Sequence, residues 1–165
     1  MRDNDGRSGN VGAVGQGMGG QDLRHVERPD ELRACYAVMR ELRPHLRDED
    51  DFASRVQRMH GDGYRLLAGW SEGEPVALAG YRLQENLIYG AFVYVDDLVV
   101  KEGRRGGNWG AGLLREVATI ARRAGCRKLV LDTALGNALA QRFYFRVGLL
   151  TGAMRFSMDL SKDAA

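Results

Sequence analysis

The residues best suited to chemistry lie in two neighbouring stretches, Asp96-Asp97 and Gly103-Arg104-Arg105-Gly106-Gly107-Asn108-Trp109-Gly110-Ala111-Gly112. The second leaves an apolar run and leads into an amphipathic one. A loop at such a junction presents unpaired backbone N–H groups, and the aligned peptide dipoles of the following helix add partial positive charge. Phosphate binds at such places. Gly106, Gly107 and Gly110 let the main chain approach a ligand closely, and Arg104 or Arg105 can add a charge-assisted contact. Neither G-x-G-x-x-G nor G-x-x-x-x-G-K-[ST] occurs in the stretch, so the dinucleotide and nucleoside-triphosphate loops are excluded. On composition alone, a phosphate cradle and a flexible turn both stay open. Asp96 and Asp97 interrupt the apolar run Phe92 to Val100. Adjacent strand residues point to opposite faces, so only one of the two carboxylates is expected to face a ligand, unless a bulge exchanges them.

The elements that must position these groups follow from apolar spacing. A short strand around Leu23 to Val26 precedes a helix capped by Asp30, with Leu32, Cys35, Tyr36, Met39 and Leu42 at helical spacing and Pro44 beyond its end. A second helix starts in the acidic cluster Asp48 to Asp51, carries Phe52, Val56 and Met59 on one face, and stops at Gly61 and Gly63. Strands Tyr64 to Trp70 and Pro75 to Arg82 are joined by a link of hairpin length, and Phe92 to Val100 is the third. The helix after the glycine stretch is the clearest, with Trp109, Leu113, Leu114, Val117, Ile120, Ala121 and Ala124 on one stripe before Gly125. Lys128 to Thr133 reads as a strand, 137 to 146 as a short helix and Met154 to Leu160 as a last strand. Strand, glycine loop, helix and strand make a parallel crossover unit.

The 165 residues suit one domain. Residues 1 to 20 contain seven glycines and few apolar side chains, which predicts a flexible tail before a single domain over 21–165. A formal net charge of +2 gives no broad basic face for nucleic acid, and no apolar run approaches the roughly 20 residues that span a bilayer. Cys35 and Cys126 are far apart, which suits free thiols in a cytoplasmic, reducing setting rather than a metal or redox pair. His25, His45 and His60 share no ligand spacing with an acidic partner, so no metal is expected. There is no G-x-S-x-G elbow for acyl-enzyme chemistry.

Two motifs together give the segment Val95 to Leu149 a resemblance to the GNAT superfamily of acyl-CoA-dependent N-acyltransferases. Arg105, Gly106, Gly107, Asn108, Trp109 and Gly110 match its Arg/Gln-x-x-Gly-x-Gly/Ala loop, with Asn108 where a glycine is expected. Asn137, Ala140, Phe143, Tyr144 and Gly148-Leu149 match its Asn-x-x-Ala-x-x-Phe-Tyr-x-x-x-Gly-Phe pattern, with leucine replacing the last aromatic. The resemblance implies an α/β fold, a mixed and mostly antiparallel sheet flanked by helices, and transfer of an acetyl group from acetyl-CoA to a primary amine in a ternary complex.

By the same resemblance, Arg105 to Gly110 and Ala111 would bind the cofactor pyrophosphate, and Leu98, Val99 and Val100 would offer backbone hydrogen bonds to the pantetheine arm. Asn137 would also hold that arm, besides its simpler role as a helix cap. Tyr144 would act as the acid for the leaving thiolate, and Asp96 is preferred to Asp97 as the base. Tyr81, Tyr89 and Tyr94 are candidates for the acceptor cleft, and Arg122 and Arg123 are better read as a solvated helix end than as a site for the 3′-phosphate. Many members dimerise, which leaves a homodimer open. A small-molecule amine is the expected acceptor, and a catalytically silent acyl-CoA-binding module is the alternative.

Overall fold

The computed structural model describes residues 21–162; the predicted N-terminal tail over 1–20 lies outside the described residues. A five-stranded sheet in the order β1-β2-β3-β4-β5 forms the frame. Its strands are β1 (Asp22–His25), β2 (Tyr64–Ser71), β3 (Glu74–Asn86), β4 (Gly90–Val100) and β5 (Lys128–Leu131). The first four pair antiparallel, while β4 and β5 pair parallel. Four helices complete it: α1 (Pro29–Leu42), α2 (Glu49–Gly61), α3 (Trp109–Arg123) and α4 (Ala138–Arg146).

Strand alternation divides the core into two layers. Tyr64, Leu66, Ala68, Leu78 and Val99 face α1 and α2 and pack against Leu32, Cys35, Met39, Phe52 and Val56. Leu67, Ala77, Ala79, Tyr81, Val93 and Val95 face the other way, against Leu113, Leu114, Val117 and Ala121 of α3. That second layer holds the glycine-to-helix junction against the sheet. Gly69 makes room for it: a Cβ there would lie 2.7 Å from the Trp109 ring, so the start of α3 is seated on β2 by its indole.

Two local expectations change. Asp30 is not the cap of α1; the cap position is Arg28, without a side-chain hydrogen bond, and Pro29 opens the helix. Proline's fixed φ and missing N–H suit that first position. Asp48 does cap α2, accepting from the Asp51 N–H at 2.8 Å. The last strand expected over Met154 to Leu160 does not form. Its apolar side chains Met154, Phe156 and Met158 are exposed, and β5 keeps an unpaired edge. Strand alternation predicts an element only where a partner edge is engaged, because an isolated strand satisfies no backbone groups.

Candidate active site

β4 is where the two chemistry-bearing stretches meet. Its register with β3 pairs Val95 with Tyr81 and Asp97 with Gly80, leaving Asp96 with no counterpart. This is a β-bulge, and it resets the alternation. The pairing of β4 with β5 runs from Phe92 to Val95 and stops there. Beyond the bulge, the edge of β4 carrying Leu98, Val99 and Val100 is free of β5. The side chains of these three residues are packed into the two core layers, so what they can offer a ligand along that edge is backbone.

The bulge brings both carboxylates to one side of the sheet, instead of the opposite faces that simple alternation gives. Asp97 accepts a hydrogen bond from the buried Tyr64 hydroxyl at 2.9 Å and pairs with the Arg43 guanidinium at 2.8 Å. Arg43 also donates to the Asp96 carbonyl at 3.0 Å, so α1 clamps the bulge from behind. Asp97 is thereby committed to structure. The Asp96 carboxylate pairs with Arg82 of β3, whose guanidinium lies over the Tyr64 ring, on that same side of the sheet. Its Oδ2 stands 3.4 Å from the Arg82 Nε, but the two atoms are not aligned as a hydrogen bond and both lack one. Burial raises the Asp96 pKa, partly offset by the Arg82 charge and reinforced by Asp97. A carboxylate with a raised pKa and a lone pair left over is equipped to take a proton.

The glycine stretch enters α3 through a short turn at Glu102–Arg104. Asn108 occupies the cap position with φ 58° and ψ 11°, in the left-handed region, and its side chain caps nothing. Asparagine is among the few residues with a side chain that enter this region readily, so it stands in for the expected glycine without disrupting the loop. Gly106 is also left-handed, at φ 88°. The first turns of α1 and α2 carry acidic residues, whereas those of α3 and α4 carry none; the start of α4 is capped by the Asn137 side chain, while that of α3 has no side-chain cap. The uncapped start of α3 is therefore able to accept an anion. Arg104 pairs with Glu72 at 3.1 Å and Arg105 reaches Glu41 at 3.7 Å; both are exposed pairs, weak enough to be exchanged for a phosphate. Trp109 turns its ring toward Gly69, so its contribution to a ligand is its backbone N–H.

α4 is positioned by the same helix. A Cβ on Gly110 would lie 3.2 Å from the Phe143 ring, so the missing side chain lets α4 approach the start of α3. Tyr144 follows Phe143, with ring centroids 5.4 Å apart. It is half-buried, its hydroxyl has no hydrogen-bond partner among the described residues, and burial raises its pKa. The phenol is therefore protonated at neutral pH and free to donate. Asn137 caps α4, accepting from the Ala140 N–H at 3.1 Å, which is the simpler of its two predicted roles.

Asp96, Ala111 and Tyr144 line one open cleft of about 1500 Å³. Tyr89, Tyr94 and Arg122 also line it, but Tyr81 does not: it is buried on the α3 side of the sheet and bonded to His25 at 2.8 Å. Strand parity separates it from Arg82 and puts it in the core. Four contributors were not singled out from the sequence. Arg43, just past α1, and Arg82 of β3 reach the aspartates, and Asp132 just after β5 joins Tyr94 and Arg155. Arg155 donates to the Tyr94 hydroxyl at 2.9 Å, which ties the chain after α4 across the cleft. Only Arg82, a charge directly after the apolar run Pro75 to Tyr81, could have flagged any of them.

The fold has counterparts. The chain superposes on an acetyltransferase from Trypanosoma brucei with a TM-score of 0.70 at 21% identity, covering 85% of this chain and 99% of that one. For AAC(6′)-Iy in complex with the bisubstrate analogue CoA-S-monomethyl-acetylneamine the values are 0.74, 17%, 86% and 99%. For a ribosomal-protein-alanine N-acetyltransferase from Brucella melitensis they are 0.73, 15%, 84% and 99%. No curated protein sequence matches the chain. The family model of the Acetyltransferase (GNAT) family matches residues 25–149, a span that holds β2 to β5, all four helices, the bulge and both motifs. The chain belongs to the GNAT family of acetyltransferases.

Proposed function

We propose that this protein transfers the acetyl group of acetyl-CoA to a primary amine by direct attack within a ternary complex. The reading is carried by one observation: a single open cleft is lined by both Asp96 and Tyr144, together with Ala111 in the first turn of α3. The residues present fit acetyl-CoA. Backbone donors from Gly106 to Ala111 would hold its pyrophosphate, with Arg105 adding charge, and the free β4 edge at Leu98 to Val100 and the Asn137 side chain would hold the pantetheine arm. Acetyl-CoA supplies an activated thioester.

The rest of the chemistry falls to this chain. An alkylammonium has a pKa near 10 and is not a nucleophile until it loses a proton. Asp96, with its raised pKa, takes that proton directly or through water. Tyr144 gives a proton to the departing thiolate, whose pKa lies near 8.5. The Arg82 charge opposes the effect of burial on Asp96. Among the structural neighbours, one is bound to an acetylneamine analogue and another is a ribosomal-protein-alanine N-acetyltransferase. An amine acceptor is common to both, and a small-molecule amine is our choice because no broad basic or peptide-binding face is evident in the sequence.

Calorimetric titration with acetyl-CoA, followed by a free-thiol release assay over a panel of primary amines, tests the reading. Saturable binding together with acceptor-dependent thiol release supports it. No binding at millimolar concentration refutes it. Binding without turnover on any amine favours the silent acyl-CoA-binding module instead; Asn108 does not argue for that alternative, because it already holds the left-handed backbone expected of a glycine there.

A further inference from the structure

The loop before α3 is held from a direction the motif does not include. Gln21 stands just ahead of β1, whose register places Asp22 opposite Trp70 of β2. That end of the sheet is where Gly69 receives the Trp109 ring, so Gln21 arrives beside the start of α3. Its Nε2 donates to the Gly107 carbonyl at 2.9 Å, a contact across 86 residues of sequence. Its Oε1 occupies the space next to Gly112: a Cβ built there would lie 2.2 Å from that oxygen. Gly112 thus leaves a berth for the carboxamide, and the carboxamide uses it to reach Gly107.

The consequence follows from peptide geometry. In a planar trans peptide the C=O and N–H point in opposite directions. Fixing the Gly107 carbonyl on the β1 side turns the Asn108 N–H to the other side, and that N–H makes no hydrogen bond among the described residues. The two sides of α3 differ in what they meet. Trp109 and Gly112, three residues apart, face β1 and β2, whereas Ala111, Leu114, Arg115 and Ala118 line the cleft. This same peptide is the one most able to flip, since it joins a glycine to an asparagine at φ 58° and follows Gly106 at φ 88°.

We propose that Gln21 is a positioning residue for the phosphate loop, locking the Gly107–Asn108 peptide so that the Asn108 N–H points away from β1 and is left to an anion. This rests on the acetyl-CoA reading above. It predicts an effect confined to ligands that carry the pyrophosphate, which a general structural role for Gln21 would not produce.

The test is calorimetric titration of the full chain with CoA and, separately, with pantetheine, for the wild type and for Gln21→Ala, Gln21→Glu and Gly112→Ala. Gln21→Ala should weaken CoA about 3- to 10-fold, the scale of one hydrogen bond, and leave pantetheine unchanged. Gln21→Glu should weaken CoA further, because a carboxylate cannot donate to Gly107 and places negative charge beside the phosphates. Gly112→Ala keeps a good helix former in α3 and displaces only the flexible end of Gln21, so it should weaken CoA as Gln21→Ala does. The double variant Gln21→Ala/Gly112→Ala should be no weaker than either single one, since both remove one interaction. The proposal is overturned if Gln21→Ala or Gly112→Ala binds CoA as the wild type does. It is equally overturned if CoA and pantetheine weaken by the same factor. A wild type that binds no CoA refutes the acetyl-CoA reading itself, and this inference falls with it.

Discussion

Gly80→Ala adds one methyl group behind the bulge, and the structure leaves no room for it. An added Cβ would lie 1.9 Å from the Tyr64 hydroxyl oxygen, 2.5 Å from its Cζ and 2.8 Å from the Asp97 Oδ2. Ordinary contact begins near 3.4 Å, so the tyrosine ring must shift by more than an ångström. Tyr64 is 1% exposed and enclosed by the α1 and α2 layer, so it cannot swing into solvent. Overpacking of this kind costs about 1–3 kcal/mol. Loss of the 2.9 Å bond to the Asp97 carboxylate adds roughly 1.5–3 kcal/mol, as hydrogen bonds to charged groups do. Allowing for relaxation, the total is about 3–5 kcal/mol, a large share of the stability of a domain this size. Calorimetric or circular-dichroism melting should show Tm lower by roughly 6–20 °C. Gly61→Ala is the control: nothing lies within 4 Å of its added Cβ, and Tm should hold or rise slightly. Adding Tyr64→Phe to Gly80→Ala removes the nearest clashing atom and should recover part of the loss, a coupling that a double-mutant cycle measures. A Gly80→Ala protein melting within about 2 °C of wild type would refute the reasoning, since that is less than 1 kcal/mol is worth.

Other outcomes follow from the cleft. Asp96→Asn should lower kcat about 10²- to 10⁴-fold, the usual range for a general base, and abolish the acidic limb of the rate profile. In the wild type that limb should lie above the ordinary carboxylate range, because burial raises the Asp96 pKa. For stability the sign is opposite: a raised carboxyl pKa favours the folded state most while the group is protonated, and that contribution is lost as pH rises through the folded pKa. Asp97→Asn should instead lower Tm, since it weakens the contacts to Tyr64 and Arg43 that brace the bulge; if it lost more activity per folded molecule than Asp96→Asn, the base would be Asp97. Tyr144→Phe should leave acetyl-CoA affinity nearly intact and lower turnover, and unchanged turnover from about pH 6 to 9 would rule out the acid role.

Local spacing was enough for much of the frame. The amphipathic stripe of α3, the capped start of α2 and the paired strands β2 and β3 need only side chains within a few positions of one another, and the structure forms them close to where periodicity puts them. The loop and its asparagine were legible for the same reason, because the left-handed preference of Asn108 is a property of that residue alone. The Met154 to Leu160 pattern was equally regular yet makes no strand, since an edge partner lies outside local sequence. Only the tertiary structure decided which aspartate is free. A bulge is a mismatch between two strands, so the alternation of β4 by itself placed Asp96 and Asp97 on opposite faces, while the register with β3 brings both to one side. Arg43, Tyr64 and Gly80 then commit Asp97 to the scaffold and leave Asp96 to the cleft; these partners come from three different elements, and no spacing along the chain records that they meet.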